Sequence, residues 1–191
     1  MSAFIITADT TMDLPMEMIR KYEIHPIASY VSLGSEDLPD WPDITMQDLF
    51  AYVKQSGQLP KTSAANPYDY ETVFRKLRDV DDRPIIHIAK TSGASSCYDN
   101  ACAAAKEVKG VYCVDSWGLG SGTGLLAVKA AQSELTDPQA LCDELNELRT
   151  RVECSFVIDT VEYLYRGGRC SGMAALGASL LRLHPEVVLT E

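Results

Sequence analysis

A strand, a hydroxyl-rich loop and a helix follow one another in the stretch PIIHIAKTSGASSCYDNACAAAKEV, residues 84–108. The apolar beginning predicts a buried strand, and the alanine-rich end predicts a helix from about Ser96. Between them, four of the six residues 91–96 carry hydroxyl groups and none is charged. Because a helix N-terminus offers free N–H groups and a partial positive charge, this loop suits a carboxylate or a phosphate. The alternative is that Ser95 or Ser96 only caps its own helix.

The same exchange of short strands and helices runs along most of the chain. Strands are predicted at 4–8, 24–33, 84–89, 111–114 and 154–158. Helix starts are predicted at Asp13, Thr45, Asn66 and Asp137, where a polar cap precedes a helical pattern. This alternation predicts an α/β fold, with a mainly parallel sheet and helices on both faces.

The pattern changes near residue 153. We therefore predict an N-terminal α/β domain over 1–152 and the beginning of a second α/β domain over 153–191. Within the second domain the sequence predicts a helix over 173–183, and a strand at 187–189 that has little to pair with.

Composition disfavours several classes of protein. The net charge of −10 opposes nucleic acid as a main partner, although it allows a local basic patch and a transient membrane contact. Six cysteines without a CxxC pair predict reduced thiols, and three scattered histidines predict no metal site. The chain shows neither a long apolar window nor a basic leader, so the expected location is the cytoplasm.

Two more strands end in polar loops, at the sheet edge where open α/β folds bind ligands. The predicted supporting residues are Asp9, Thr10, Asp115 and Ser116. A second hydroxyl pair, Thr62-Ser63, precedes a predicted helix and favours an anion site shared with loop 91–96. His87 falls inside a strand and is interpreted as a core residue, so we predict no catalytic residue near the hydroxyls.

Glycines mark two further segments. In WGLGSGTG, residues 117–124, the spacing misses both the GxGxxG fingerprint and the ending of a phosphate-binding P-loop. We interpret these glycines as permitting close helix packing. Gly167-Gly168-Arg169 predicts a tight turn, in which Gly167 and Gly168 are further supporting residues and the arginine contacts a phosphate or a partner. An exposed arginine after a helix end is the alternative.

A set of short motifs spans nearly the whole chain in a fixed order. They are Asp9-Thr10-Thr11, Pro60-Lys61-Thr62-Ser63, 91–98, Val114-Asp115-Ser116, 159–164, 166–169 and His184-Pro185. Together they resemble the DegV family of bacterial fatty-acid-binding proteins.

The resemblance implies a long-chain fatty acid held in a tunnel between two domains. Hydroxyls at Thr62 and Ser95 would bind its carboxylate, with Ser63 and Ser96 beside them. Family members act as the acyl-carrying subunit of a fatty acid kinase. A separate catalytic subunit phosphorylates the carboxylate, and the acyl phosphate feeds phospholipid synthesis. The resemblance thus implies a binding protein without a cofactor or metal.

The chain also departs from the family pattern. Ser96 stands where the family has a glycine, and Cys97 stands where it has a hydroxyl. Family members continue well beyond this length, so we expect an incomplete second domain and exposed apolar surface. Two alternatives follow: a reduced module that acts only in protein–protein contact, and a stand-alone acyl- or phosphoryl-transferase.

Overall fold

A four-stranded parallel sheet lies at the centre of the computed structural model, which describes residues 2–42, 44–167, 184 and 186–188. Its strands are, in spatial order, β2 (Ile24–Ile27), β1 (Ile5–Asp9), β6 (Ile85–Ala89) and β7 (Val111–Asp115). All neighbouring strands in this sheet run parallel, so their carboxyl ends meet at one edge.

Helices cover both faces of this sheet. Across the described residues the helices are α1 (Met16–Lys21), α2 (Met46–Ser56), α3 (Pro67–Arg78), α4 (Cys97–Glu107), α5 (Ser121–Ala131), α6 (Pro138–Leu148) and α7 (Glu162–Arg166), and those other than α2 and α7 form the two layers on the sheet. Two short 3-10 turns lie at Thr10–Met12 and Arg149–Arg151. Phe4 and Ile6 pack with α5 and α6 on one face, whereas Ile5 packs with α3 and α4 on the other. The predicted α/β class and layering are confirmed.

An antiparallel sheet accompanies the parallel one. It contains β4 (Glu36–Pro39), β3 (Tyr30–Leu33) and β5 (Lys61–Ser63), in that spatial order. β4 and β5 are not among the strands predicted from the sequence, so the prediction missed this sheet in part.

The single strand predicted over 24–33 is also wrong, because the chain changes sheet near Ser29. The Ser29 N–H donates to the Thr10 hydroxyl at 3.4 Å, and its carbonyl accepts from the Asp40 N–H at 2.9 Å. These contacts occupy the backbone groups that would continue the ladder, so β2 and β3 join different sheets.

Three of the four predicted helix starts are confirmed by their caps. Thr45 forms a capping box with Asp48, Asn66 caps α3 in the same way, and the Asp137 carboxylate accepts from Ala140 N–H. The fourth is wrong: Asp13 ends the first 3-10 turn at φ 49°, and α1 begins after Pro15.

The end of the described chain forms a small sheet of its own. β8 (Ser155–Val157) pairs antiparallel with β9 (Glu186–Val188), so the expectation of an unpaired strand near 187 is wrong. The predicted helix 173–183 lies outside the described residues, and the boundary after 152 stays a prediction. Within the described part of the chain, no helix has the length and apolar character needed to cross a membrane.

Candidate functional site

The first supporting residue, Asp9, anchors the edge where the parallel strands end. Its buried carboxylate accepts from the Tyr70 hydroxyl at 2.6 Å and from the Lys90 N–H at 2.9 Å. Since Lys90 directly precedes loop 91–96, Asp9 fixes the point at which that loop leaves β6.

Asp115, at the end of β7, holds the next part of the same loop. Its carboxylate accepts from the Ser92 N–H at 3.2 Å and from the Trp117 N–H at 3.1 Å. The Gly118 carbonyl accepts from the Thr91 N–H at 3.0 Å. Loop 91–96 is therefore tied by its backbone to the turn that follows β7.

Within loop 91–96, the capping alternative holds for Ser95. Its hydroxyl oxygen accepts from the Cys97 N–H at 3.2 Å, while the side chain of Ser96, at the N-cap position of α4, makes no capping bond. A hydroxyl that accepts one hydrogen bond still has its own proton to donate. Ser95 can therefore cap α4 and donate to an anion at the same time.

The second hydroxyl pair comes close to this loop through Asn100 of α4. The Asn100 amide donates to the Ala65 carbonyl at 2.8 Å and lies 3.4 Å from the Ser96 hydroxyl. Ala65 follows Thr62-Ser63 by two residues, and both hydroxyl side chains are exposed on the edge strand β5. The Asn100 side chain thus ties the segment that follows Thr62-Ser63 to the first turn of α4.

A groove of about 910 Å³ opens beside Thr62. Its walls come from the segment after α2 and from α7, and its lining residues are Gln58, Leu59, Pro60, Lys61, Thr62, Tyr163, Leu164, Arg166 and Gly167. The Arg166 guanidinium of α7 donates to the Gly57 carbonyl at 2.7 Å, and this bond joins the two walls. Arg166 also pairs with Glu162, on the same helix, at 3.3 Å.

The apolar wall residues Leu59 and Tyr163 were not predicted as site residues. Tyr163 falls inside the motif 159–164, and that motif was the sequence signal that could have indicated it. Gly167, a predicted supporting residue, lines the groove at the end of α7. Gly168 and Arg169 lie outside the described residues.

Two predicted supporting hydroxyls have partners inside the protein. The Thr10 hydroxyl lies 2.8 and 2.9 Å from the two carboxylate oxygens of Asp40, and burial raises the pKa of Asp40. The Ser116 hydroxyl is buried, lies 2.9 Å from the Thr123 hydroxyl and accepts from the Gly118 N–H at 3.2 Å. Both side chains thus make contacts that shape these loops.

The glycines of 117–124 pack closely against the rest of the protein. A Cβ atom at Gly124 would lie 2.5 Å from the Met12 carbonyl oxygen, and one at Gly122 would lie 3.3 Å from Cys154 Cβ. These contacts support the packing interpretation. α5 begins directly after Gly120, which has φ 57°.

His87 lies in the core, as the sequence indicated. It is fully buried, its Nδ1 lies 3.0 Å from the Thr7 hydroxyl, and burial lowers its pKa. A neutral histidine enclosed in this way cannot reach a ligand. No cluster of three or more potential metal ligands occurs in the described ranges.

Comparison with known proteins gives a consistent result. The family model described as uncharacterised protein, DegV family, matches residues 3–190. The chain is 29% identical to protein DegV of Bacillus subtilis over 185 residues, covering 94% of this chain and 66% of that protein. It is 28% identical over 186 residues to a fatty acid-binding protein of Thermotoga maritima, covering 93% and 64%. The chain thus spans about two thirds of the length of these relatives.

Solved structures share the fold. A fatty acid-binding DegV family protein from Thermus thermophilus superposes on this chain with a TM-score of 0.84. The two are 29% identical, and the match covers 98% of this chain and 68% of that chain. DegV from Bacillus subtilis, a fatty acid binding protein, gives a TM-score of 0.83 at 27% identity with the same coverage.

Proposed function

The chain belongs to the DegV family, and on that premise we propose that it binds a long-chain fatty acid. The observation that carries the proposal is the position of Thr62. It lies on β5, next to the Ser63 hydroxyl, and it also lines the groove beside α7. One residue thus connects a set of uncharged donors with an apolar wall. A ligand with a carboxylate at one end and a hydrocarbon chain at the other matches both features.

The groove suits the hydrocarbon chain. Its volume of about 910 Å³ falls within the range of roughly 300–1,000 Å³ that is typical of small-molecule sites. Leu59, Pro60, Tyr163 and Leu164 supply apolar walls. Removing each CH₂ group from water contributes about 0.8 kcal/mol, so the tail dominates the affinity. We place this tail in a tunnel between domains 1–152 and 153–191.

The hydroxyls suit the carboxylate. We propose that Thr62 and Ser95 donate to it, with Ser63 and Ser96 beside them and the N-terminus of α4 adding a favourable dipole. Each hydrogen bond to the charged head contributes about 1.5–3 kcal/mol. The head group therefore fixes which end of the fatty acid faces outward.

We also propose that this protein presents the carboxylate to a separate fatty acid kinase subunit. In that step a carboxylate oxygen attacks the terminal phosphorus of ATP, and the bond to the departing ADP oxygen breaks. Uncharged donors leave more electron density on the carboxylate than a lysine pair would, which favours the attack. The proposed contact with the phosphate or the partner is Arg169.

Native mass spectrometry of the purified chain, followed by organic extraction and lipid identification, tests fatty acid binding. We expect a bound mass equal to a fatty acid, and its loss in the double variant Thr62→Ala/Ser95→Ala. The matched control is Ser133→Ala/Thr136→Ala, which changes the same two residue types in the connection after α5. This connection lies away from the proposed site. Gln132, directly before it, contacts Tyr22, and Tyr22 lies next to the amino end of β2, at the edge of the sheet opposite the hydroxyl loop.

Retention of fatty acid by the Thr62/Ser95 variant would overturn the head-group assignment. A wild-type chain that takes up no added fatty acid would overturn the binding proposal itself. Turnover of fatty acid and ATP by the purified chain alone would favour the stand-alone transferase.

A further inference from the structure

Trp117 adopts an unusual backbone conformation in the turn after β7. Its φ is 52°, which lies in the left-handed region that bulky side chains rarely adopt. The Trp117 N–H donates to the Asp115 carboxylate at 3.1 Å. Such a conformation persists only where surrounding contacts hold it, and at functional sites it often serves the function.

Arg149 supplies the contact that holds Trp117. It begins the 3-10 turn after α6, and its guanidinium carbon lies 3.7 Å from the centre of the Trp117 ring. The same guanidinium donates through Nη1 to the Asp115 carbonyl at 2.8 Å. Its Nε atom is buried and has no hydrogen-bond acceptor among the described residues.

The turn held by Arg149 carries the hydroxyl loop. The Asp115 carboxylate accepts from the Ser92 N–H at 3.2 Å, and the Gly118 carbonyl accepts from the Thr91 N–H at 3.0 Å. A shift of the turn therefore moves the backbone that leads directly to Ser95.

We infer that Arg149 and Trp117 are positioning residues for the carboxylate site, acting through the turn 115–118 on Ser95. The inference rests on the proposed function, because it assigns Ser95 to the head group. Neither residue touches the ligand in this arrangement, so their effect should depend on the head group and not on the tail. Arg149 must be an arginine for this role, since lysine lacks the planar group that stacks on indole.

The test compares two ligands of equal chain length, hexadecanoic acid and hexadecan-1-ol, by equilibrium titration. We expect Arg149→Lys to weaken binding of the acid about tenfold, the equivalent of one poorly aligned charge-assisted hydrogen bond. Binding of the alcohol should stay within about twofold of the wild type. Arg151→Lys, in the same 3-10 turn and exposed, is the matched control and should change neither affinity.

Trp117→Gly keeps the inference testable if Arg149→Lys fails to fold. Glycine adopts φ 52° without strain, so this variant preserves the turn but removes the stack. We expect the same selective loss of acid affinity. A merely structural role would lower the melting temperature or reduce both affinities equally.

The outcomes separate the inference from the proposed function. A wild-type chain that binds neither ligand overturns the proposed function and this inference with it. A wild-type chain that binds the acid, with Trp117→Gly and Arg149→Lys binding it equally well, overturns the inference alone.

Discussion

Replacing Gly124 with alanine tests whether the glycine string 117–124 serves packing or phosphate binding. The added Cβ would lie 2.5 Å from the Met12 carbonyl oxygen and 2.8 Å from Leu14 Cδ2, whereas ordinary contacts of a Cβ atom begin at 3.4 Å. The Met12 carbonyl belongs to the backbone of the first 3-10 turn. That backbone cannot rotate away as a flexible side chain would, so α5 and the turn must separate.

Two opposing effects set the magnitude. Alanine favours a helix interior over glycine by about 1 kcal/mol. Overpacking a buried contact costs about 1–3 kcal/mol and occasionally more, and a clash with backbone falls at the upper end. We therefore expect Gly124→Ala to lower the free energy of unfolding by about 2 kcal/mol, which is the upper end of the overpacking cost less the gain in helix propensity. In a chain of this size that corresponds to a fall in Tm of about 2–4 °C for each kcal/mol.

Urea unfolding followed by far-UV circular dichroism measures this change. Gly122→Ala is the matched control, because its Cβ would lie 3.3 Å from Cys154 Cβ, a much smaller overlap than the 2.5 Å approach at Gly124. The control should lose less stability than Gly124→Ala. Equal stability of Gly124→Ala and the wild type would refute the packing argument. The same holds if NAD or ATP raises the Tm of the wild type but not that of Gly124→Ala.

Three further predictions concern polar side chains that hold the fold together. Burial lowers the pKa of His87, so the folded chain keeps it neutral while the unfolded chain protonates it below about pH 6.5. The stability of the wild type should therefore fall as the pH drops below that value, and urea unfolding should show a smaller fall for His87→Gln; equal slopes would contradict this. Tyr70→Phe removes a donor 2.6 Å from the buried Asp9 carboxylate and should cost about 1–3 kcal/mol in urea unfolding, whereas a loss near zero would mean that Asp9 finds another donor. Asn100→Ala breaks the bond to the Ala65 carbonyl and should weaken hexadecanoic acid binding about tenfold in titration; an unchanged Kd would show that this bond does not position the hydroxyls.

Local signals accounted for most of the fold. Caps such as Thr45 and Asn66 act within three residues of themselves, so the sequence around them suffices to predict the helix start. The break at Ser29 depends on Thr10, 19 residues earlier, and on Asp40 in the following loop. No local pattern within 24–33 carries that information, and the run was therefore predicted as one strand.

The candidate site divides in the same way. The hydroxyl segments were visible in the sequence, and the resemblance linked Thr62 to Ser95. The link between the two segments includes the Asn100–Ala65 bond, which spans 35 residues. The wall formed by Tyr163 depends on how α7 meets the segment after α2. Such long-range contacts follow from packing and not from residue spacing.

The two buried carboxylates at the sheet edge give a reason why the proposed anion site relies on hydroxyl side chains. Backbone N–H groups beyond parallel strands are ready donors for a bound anion. In this protein Asp9 takes the N–H of Lys90, and Asp115 takes those of Ser92 and Trp117. An incoming carboxylate would therefore meet two fixed negative charges and few free donors at the strand ends. The donors that we propose for the fatty acid lie further out, at Ser95 just before α4 and at Thr62 in the groove, so the proposed head-group site lies above the edge rather than in it.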